Sequence, residues 1–461
     1  MLVAATHTRA QELADAGVAS GERVVLIPAT GFGFFVDLFA AWSRGAVVVC
    51  APASLTASER ESAGRLVRPR LWVGSSAPTG IRSLEPACLD ASREVRTTAE
   101  PESLAIDDPA LVLLTSGTSG TPKGVVHTQR SLQSRVALNL AYIGRPDLAT
   151  ALNLLPLHFG HGLIGNCLTV LAAGGRLILQ PDPGIDGLAR LGETIDRFEV
   201  TFLSSVPALW RVVLKTSRPP TRGTLRRVHV GSAPLSAELW SAICEWCGIR
   251  RVLNMYGITE TANWIAGHNA EEGPIVDGLV GRAWGGSIRV RTEAGPFATQ
   301  GRGELVVATP SLMAGYFGQT NQAEMLPGGW FATGDVGEID EQGRIRLIGR
   351  LRDDVNRGGV KISCDEVDLL LERHPSVREA CAFPIEEPTA GEIIGVAVVV
   401  EDGQDLDFAS LRNWCARHIR RDAVPDRFFL LRALPQNDRG KRDRRRVREL
   451  CLAEPSVERQ K

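Results

Sequence analysis

Short runs of valine, leucine and isoleucine alternate with longer stretches of helical periodicity along most of the chain. "RVVLIPATGFGFFVDLFAAWSRGAVVVCAPA" has a β-rich run, a helical middle and a second β-rich run, the pattern of a βαβ unit. Pro28, Asp37 and Arg44 interrupt it, so it does not read as a membrane span. Further buried-strand patterns at "ALVLLTS", "RLILQP", "VTFLSSVP", "RVHVGS" and "RVLNMYG" predict a layered α/β domain with mixed, largely parallel sheets. From about residue 280 the texture changes to the short strands and turns of "SIRVRTEAG", "GELVVATP" and "VGEIDEQGRIRLIGR", which predicts a β-rich subdomain.

Beyond "GRLRDD" at 349–354, helices at "CDEVDLLLERHP" and "DFASLRNWCARHI" flank strands at "VREACAFPI" and "IIGVAVVVE". This is the size and pattern of a small α+β domain. The expected division is a large domain over 1–349, a hinge over 350–355 and a small domain over 356–461.

At 461 residues the chain is long for one domain, in keeping with that division. A formal net charge of -1 gives no global field to recruit nucleic acid or a membrane surface. Nine scattered cysteines, an odd number, suit free thiols in a reducing compartment, so a cytoplasmic location is expected. "CEWC" at 244–247 lies in a helical pattern with no partner ligands, and ordinary packing explains it. The beginning, "MLVAATHTRAQELADAG", reads as an exposed helix and not as a secretory signal.

One loop demands chemistry. In "LVLLTSGTSGTPKGVVH", 111–127, an apolar run breaks into hydroxyls, glycines and one lysine before turning apolar again. Glycines free the backbone to wrap a ligand, and hydroxyls and amides beside a cation suit a polyphosphate. A P-loop is excluded because neither Gly117 nor Gly120 has the glycine required by GxxxxGK[ST], and no kinase HRD or DFG set follows. Gly31 and Gly33 do not complete a dinucleotide fingerprint.

The loop resembles the phosphate loop of the acyl-adenylating superfamily, which includes acyl-CoA synthetases, nonribosomal adenylation domains and luciferases. Further motifs of that family recur in order: "VGSAPLSAELW" at 230–240, "NMYGITETANW" at 254–264, "GGWFATGDVGEID" at 328–340, "IGRLRDDVNRGGVKIS" at 348–363 and "LPQNDRGKRDRR" at 434–445. The resemblance spans nearly the whole chain. It implies ATP-dependent activation of a carboxylic acid as an acyl-adenylate with release of pyrophosphate, then transfer to a thiol. It also implies a mobile C-terminal domain.

Carried onto matching positions, the resemblance assigns Thr115, Ser116, Gly117, Thr118, Ser119, Gly120 and Lys123 to the β- and γ-phosphates. Ser232, Ala233, Pro234, Tyr256 and Gly257 fall to the adenine, and Asp335 with Arg350 to the ribose. Glu260 is a hard oxygen donor suited to Mg²⁺, and Thr259 can donate to the α-phosphate. Lys441 is the catalytic lysine, a cation that offsets repulsion between carboxylate and α-phosphate. Arg352 stands where the family hinge usually has Asp or Lys. His158, Phe159 and His161, with Ser205, Trp210, Asn263 and Trp264, are the candidate acid-pocket residues.

The Phe-Asp with which many amino acid activators grip the ammonium is absent, which favours a simple acyl or aryl acid over an α-amino acid. The acceptor is expected to be coenzyme A, or the phosphopantetheine thiol of an acyl or peptidyl carrier protein supplied in trans. Tail cations Arg439, Arg442, Arg444 and Arg445 suit either one. Two alternatives stay open: an adenylate passed to an amine, including amino acid activation, and a nucleotide-binding regulatory protein without turnover.

Overall fold

A computed structural model describes residues 2–28, 31–87, 104–115, 123–181, 183–291, 297–319, 324–351, 354–357, 360–387, 391–401, 403–419, 421–437 and 441–453. Three sheets organise the chain. The first has seven strands, with Arg23–Leu26, Val47–Cys50, Leu71–Val73, Ser83–Leu84 and Pro109–Thr115 parallel; Lys123–Thr128 and Gly315–Tyr316 are added antiparallel at one edge.

Its strands read as unbroken apolar runs because both faces are covered. Val24, Leu26, Val48, Cys50, Leu111 and Leu113 pack into one core cluster, while the alternate residues Val25, Val47, Val49 and Val112 pack into another.

The second sheet has twelve strands. Its parallel half comprises Thr150–Asn153, Arg176–Leu179, Phe202–Ser205, Arg227–Gly231 and Val252–Gly257. The β-rich run expected as a subdomain from about residue 280 continues this sheet: Trp264–Asn269 pairs antiparallel with Val252–Gly257 and then with Leu279–Ala283. Phe202, Leu253 and Met255 join the same cluster as one face of the first sheet, so the two sheets share a layer holding the Gly33–Ser43 helix and the 161–173 helical segment.

A third, five-stranded sheet is built from Asp354–Arg357, Val360–Ser363, Val377–Glu387, Gly391–Val400 and Arg427–Leu430. The Cys364–Leu371, Phe408–His418 and Arg444–Ala453 helices pack with it, and it has its own apolar clusters around Val367, Val396 and Val447. No helix among the described residues is long and apolar enough to cross a membrane.

Candidate active site

The ends of several strands of the second sheet meet at one edge, the usual place for a ligand in an open α/β sheet. Tyr256 sits near the end of Val252–Gly257, and Asp335 in Trp330–Ile339 lies directly opposite Arg350 on the neighbouring strand. The Tyr256 hydroxyl donates to Asp335 Oδ2 at 2.7 Å, and Arg350 Nε pairs with Oδ1 at 2.9 Å. Asp335 is buried, and its carboxylate keeps lone pairs beyond the two in use, as bidentate recognition of a diol requires. Burial and then the Asp335 charge push the Tyr256 phenol well above its usual range, so it stays a donor.

Glu260 occupies the short 3₁₀ turn Thr259–Thr261 that follows this strand, and the turn is fixed on three sides. Met313 N donates to the Glu260 carbonyl at 2.8 Å. His127 Nε2 bonds the Thr259 carbonyl at 2.9 Å, which requires the proton on that nitrogen. Burial lowers the His127 pKa to about 4, so the ring is neutral. The guanidinium of Arg135, fully buried, donates to Ser311 Oγ, whose hydroxyl donates to the Thr261 carbonyl at 3.0 Å.

The Glu260 carboxylate accepts from the Tyr316 hydroxyl at 2.9 Å, and Lys123 Nζ lies 4.7 Å from the Tyr316 ring centroid. Lys123 is the register partner of Thr115 across the hairpin. Ser116, Gly117, Thr118, Ser119 and Gly120 lie outside the described residues, as do Arg352 and the Thr115 side chain.

On the opposite flank the segment His161–Leu168 is a π-helix, a geometry found mostly at functional sites. His161 opens it. Its Nδ1 bonds Ser232 Oγ at 2.8 Å and its Nε2 bonds Ser204 Oγ at 2.7 Å. Burial, with the positive charge of Lys441 adding to it, lowers the His161 pKa to about 3. The imidazole is therefore neutral, and the Lys441 charge bears on it from the C-terminal sheet unit. Ser232 takes its place with a left-handed φ of 68°, at the turn after Arg227–Gly231, beside Ala233 and Pro234.

Trp264 packs edge-on against His161 at 5.1 Å and against the buried His229 at 4.7 Å. Neither nitrogen of His229 has a hydrogen-bond partner among the described residues; nor do Asn263 Nδ2 and Trp264 Nε1. His158 stacks tilted on Phe159 at 4.0 Å.

Two expectations differ from the structure. Ser205 does not face His161: its hydroxyl takes the Trp210 indole N–H at 2.8 Å and donates to the His229 carbonyl at 2.9 Å. Successive strand residues point to opposite faces, so the serine reaching His161 is Ser204. The tail cations also turn inward. Arg444 pairs with Asp368 and Asp365 at 2.9 and 2.5 Å, and Arg442 with Glu372 and Asp368, so neither is presented to a phosphate or a carrier surface. Arg445 remains exposed beside Glu449, and Arg439 lies outside the described residues. Lys441 itself is tied to Asn437: its N–H donates to Asn437 Oδ1 at 3.1 Å and its carbonyl accepts from Asn437 N at 2.8 Å.

Sequence reading missed Ser204, His127, Arg135 and Tyr316. None of them sits in a local pattern that marks it.

With this geometry in hand, residues 2–317 match the AMP-binding enzyme family, and residues 366–441 match the AMP-binding enzyme C-terminal domain. The chain is 33% identical to an oxalate–CoA ligase of Arabidopsis thaliana, over 76% of this chain and 69% of that one. It is 30% identical to a 2-succinylbenzoate–CoA ligase of Geobacillus kaustophilus, over 96% of this chain and 90% of that one. Among solved structures, ATP-bound MatB from Rhodopseudomonas palustris superposes with a TM-score of 0.88 at 26% identity, covering 98% of this chain and 92% of that one.

Proposed function

Since the chain belongs to the AMP-binding enzyme family and is an acid–thiol ligase of the acyl-CoA synthetase type, forming an acyl-adenylate and then a thioester, we propose how its own residues divide that work. Asp335, with Tyr256 and Arg350, holds the ribose hydroxyls. Ser232, Ala233, Pro234, Gly257 and the ring of Tyr256 border the adenine. Lys123 and the 115–120 loop hold the β- and γ-phosphates, and Thr259 donates to the α-phosphate. His161, Asn263 and Trp264 border the acid, with His158 and Phe159 beside them.

Lys441 approaches from the small domain, offsets repulsion between the acid and the α-phosphate, and stabilises the charge developing there. Residues 1–349 act as one body and 356–461 as a second that turns about 350–355, with Arg352 the pivot residue, so that Lys441 withdraws before the thiol enters.

Magnesium fits at Glu260. It is a half-buried carboxylate with one oxygen bonded to Tyr316, and the other has no partner among the described residues. One carboxylate oxygen completed by water and phosphate oxygens is how Mg²⁺ is commonly held, and when bound it would shield the triphosphate charge.

The acid, we propose, is short and carries a second oxygen-rich group such as another carboxylate. Asn263 Nδ2 and Trp264 Nε1 are donors left without acceptors in a buried place, and a buried unsatisfied donor is costly until something accepts from it. Trp264 also fills the space between His161 and His229, which limits depth. Oxalate and 2-succinylbenzoate, the acids named for two relatives, both carry two carboxylates. The proposed acceptor is free coenzyme A, the thiol of both relatives' named reactions. A cytoplasmic location fits the cysteines, of which those described are buried.

The observation that carries the reading is that His161, bonded through both nitrogens to Ser232 and Ser204 of the large sheet, lies near enough to Lys441 of the C-terminal unit to feel its charge. Its test is pyrophosphate release with Mg-ATP and hydroxylamine as trap, across oxalate, malonate, succinate, acetate, benzoate and amino acids, with Lys441→Ala alongside. A response to the short diacids that is lost in the variant is the expected result. A response to monocarboxylic acids alone, or to none of these acids, would overturn the substrate class. Adding coenzyme A or a phosphopantetheinylated carrier then separates the acceptors.

A further inference from the structure

Two arginines from distant parts of the chain meet on one carboxylate. Glu372 caps the C-terminus of the Cys364–Leu371 helix, and its side chain is only 7% exposed. Its Oε2 accepts from Arg211 Nη2 at 2.8 Å, while its Oε1 pairs with the guanidinium of Arg442. Arg442 directly follows Lys441 and is pinned a second time, by donation from Nη1 to the Ala380 carbonyl at 2.6 Å. Arg211 lies in the Pro207–Thr216 helix, directly after Trp210, and also donates to the Arg378 carbonyl at 3.2 Å. Through Trp210 that helix is bonded to Ser205, the neighbour of the serine that holds His161.

Among the described residues, Asp365, Asp368 and Glu372 of the C-terminal unit share the guanidiniums of Arg442 and Arg444, and Arg211 adds a further positive charge to Glu372 from the large-sheet side. A buried carboxylate deprived of a partner is strongly disfavoured, so this contact favours one orientation of the two units. Two further ion pairs join the same units, Arg373 with Asp277 and Lys215 with Glu401 at 3.4 Å; their cations are 56% and 62% exposed, against 33% for Arg211, and pairs with so exposed a partner contribute less.

We propose that Glu372 and Arg211 are positioning residues for Lys441: Glu372 ties Arg442 to Arg211, holding the C-terminal unit in the orientation that presents Lys441 to the acid, and the Arg211 contact is the half that opens when the unit turns. This rests on the role proposed for Lys441. It assigns the contact to adenylation and not to thioester formation.

The test uses the full-length enzyme with Arg211→Gln, Arg211→Lys and, as control, Lys215→Gln. Arg211→Gln leaves the Glu372–Arg442 pair in place, so the fold of the C-terminal unit is retained. Single-turnover pyrophosphate release is measured with the acid that responds among those tested, and thioester formation is measured from separately prepared acyl-adenylate and coenzyme A. Spin labels at positions 199 and 446 report the distance between the units without substrate. Arg211→Gln is expected to slow pyrophosphate release about tenfold with the KM for the acid within twofold, to leave the thioester step unchanged or faster, and to broaden the distance distribution. Arg211→Lys restores most of the rate, and Lys215→Gln matches the wild type. Equal slowing of both steps, or an unchanged distance distribution, overturns the proposal. The distance measurement needs no acid, so the orientation of the two units is tested even if none of the acids responds.

Discussion

Tyr316 donates its hydroxyl to the Glu260 carboxylate across 2.9 Å, and the same ring carries the Lys123 ammonium 4.7 Å from its centroid. One side chain thus ties the proposed metal carboxylate to the lysine at the far end of the phosphate loop. Tyr316 comes from a two-residue strand paired antiparallel to Lys123–Thr128, so its position follows from sheet register. Tyr316→Phe keeps the ring under Lys123 and removes only the donor. A hydrogen bond to a charged group contributes roughly 1.5–3 kcal/mol when buried and less in a half-exposed site. The expected result is a fall in pyrophosphate release of about fivefold, with a higher Mg²⁺ concentration for half-maximal rate. An unchanged Mg²⁺ dependence would mean that Tyr316 does not orient Glu260.

Ser204 and Ser205 separate function from packing within one strand. Ser205→Ala strands the Trp210 indole N–H in the core, and a buried unsatisfied donor costs about 1–3 kcal/mol, so denaturant unfolding should shift with little change in the KM for the acid. Ser204→Ala instead releases His161 Nε2, and should raise the KM severalfold with a smaller loss of stability. The reverse pattern would place the acid on the Trp210 side of the sheet.

The same pair shows what a sequence can disclose. The central strands of the first sheet and of the parallel half of the second were legible as apolar runs because they are covered on both faces, and the ligand-binding motifs stood out because glycines, hydroxyls and charges interrupt those runs. Which face a residue takes within a doubly buried strand was not legible: with no alternation of polar and apolar positions, Ser204 and Ser205 look equivalent. Long-range ties were hidden for another reason. Tyr316 reaches Glu260 through strand pairing, and Arg211 reaches Glu372 across 161 residues, so neither leaves a local pattern. The arginines near Lys441 misled because a dense run of cations normally marks a solvated face, whereas here buried carboxylates draw Arg442 and Arg444 inward.

Three buried histidines give stability a defined pH dependence. Burial holds His127 at about 4, His161 at about 3 and His229 well below its ordinary value. In the unfolded chain each takes up a proton near pH 6.5. As pH falls from about 6.5 towards 4 the unfolded state therefore binds more protons than the folded state, and stability is lost. Burial lowers His268 and His374 in the same sense, while Asp368, pushed up to about 6, and Asp37, also raised, oppose it. The expected net slope is of the order of two protons, or about 2.7 kcal/mol per pH unit, in urea unfolding at pH 5–6. His229 has no hydrogen-bond partner among the described residues, so His229→Leu should reduce the slope by one proton and cost little at pH 7.5. A flat profile would show that these rings find protons or partners in the fold.

Gly165 offers the sharpest test of the acid pocket. It lies in the π-helix opened by His161, and a methyl group added there would overlap Asn263 Nδ2, the far end of a short side chain that can turn away. The backbone at Gly165 is not in the left-handed region, so alanine brings no conformational penalty and the effect falls on Asn263. If Asn263 donates to a second carboxylate of the acid, Gly165→Ala removes that donor without touching the nucleotide side. Discrimination built on a hydrogen-bonding donor is large when the donor is lost. The KM for the responding diacid should rise tenfold or more, with the KM for ATP unchanged, while a monocarboxylic analogue of the same length, poorly used by the wild type, is affected less than twofold. Equal loss for both acids would mean that Asn263 supports the π-helix and does not read the substrate.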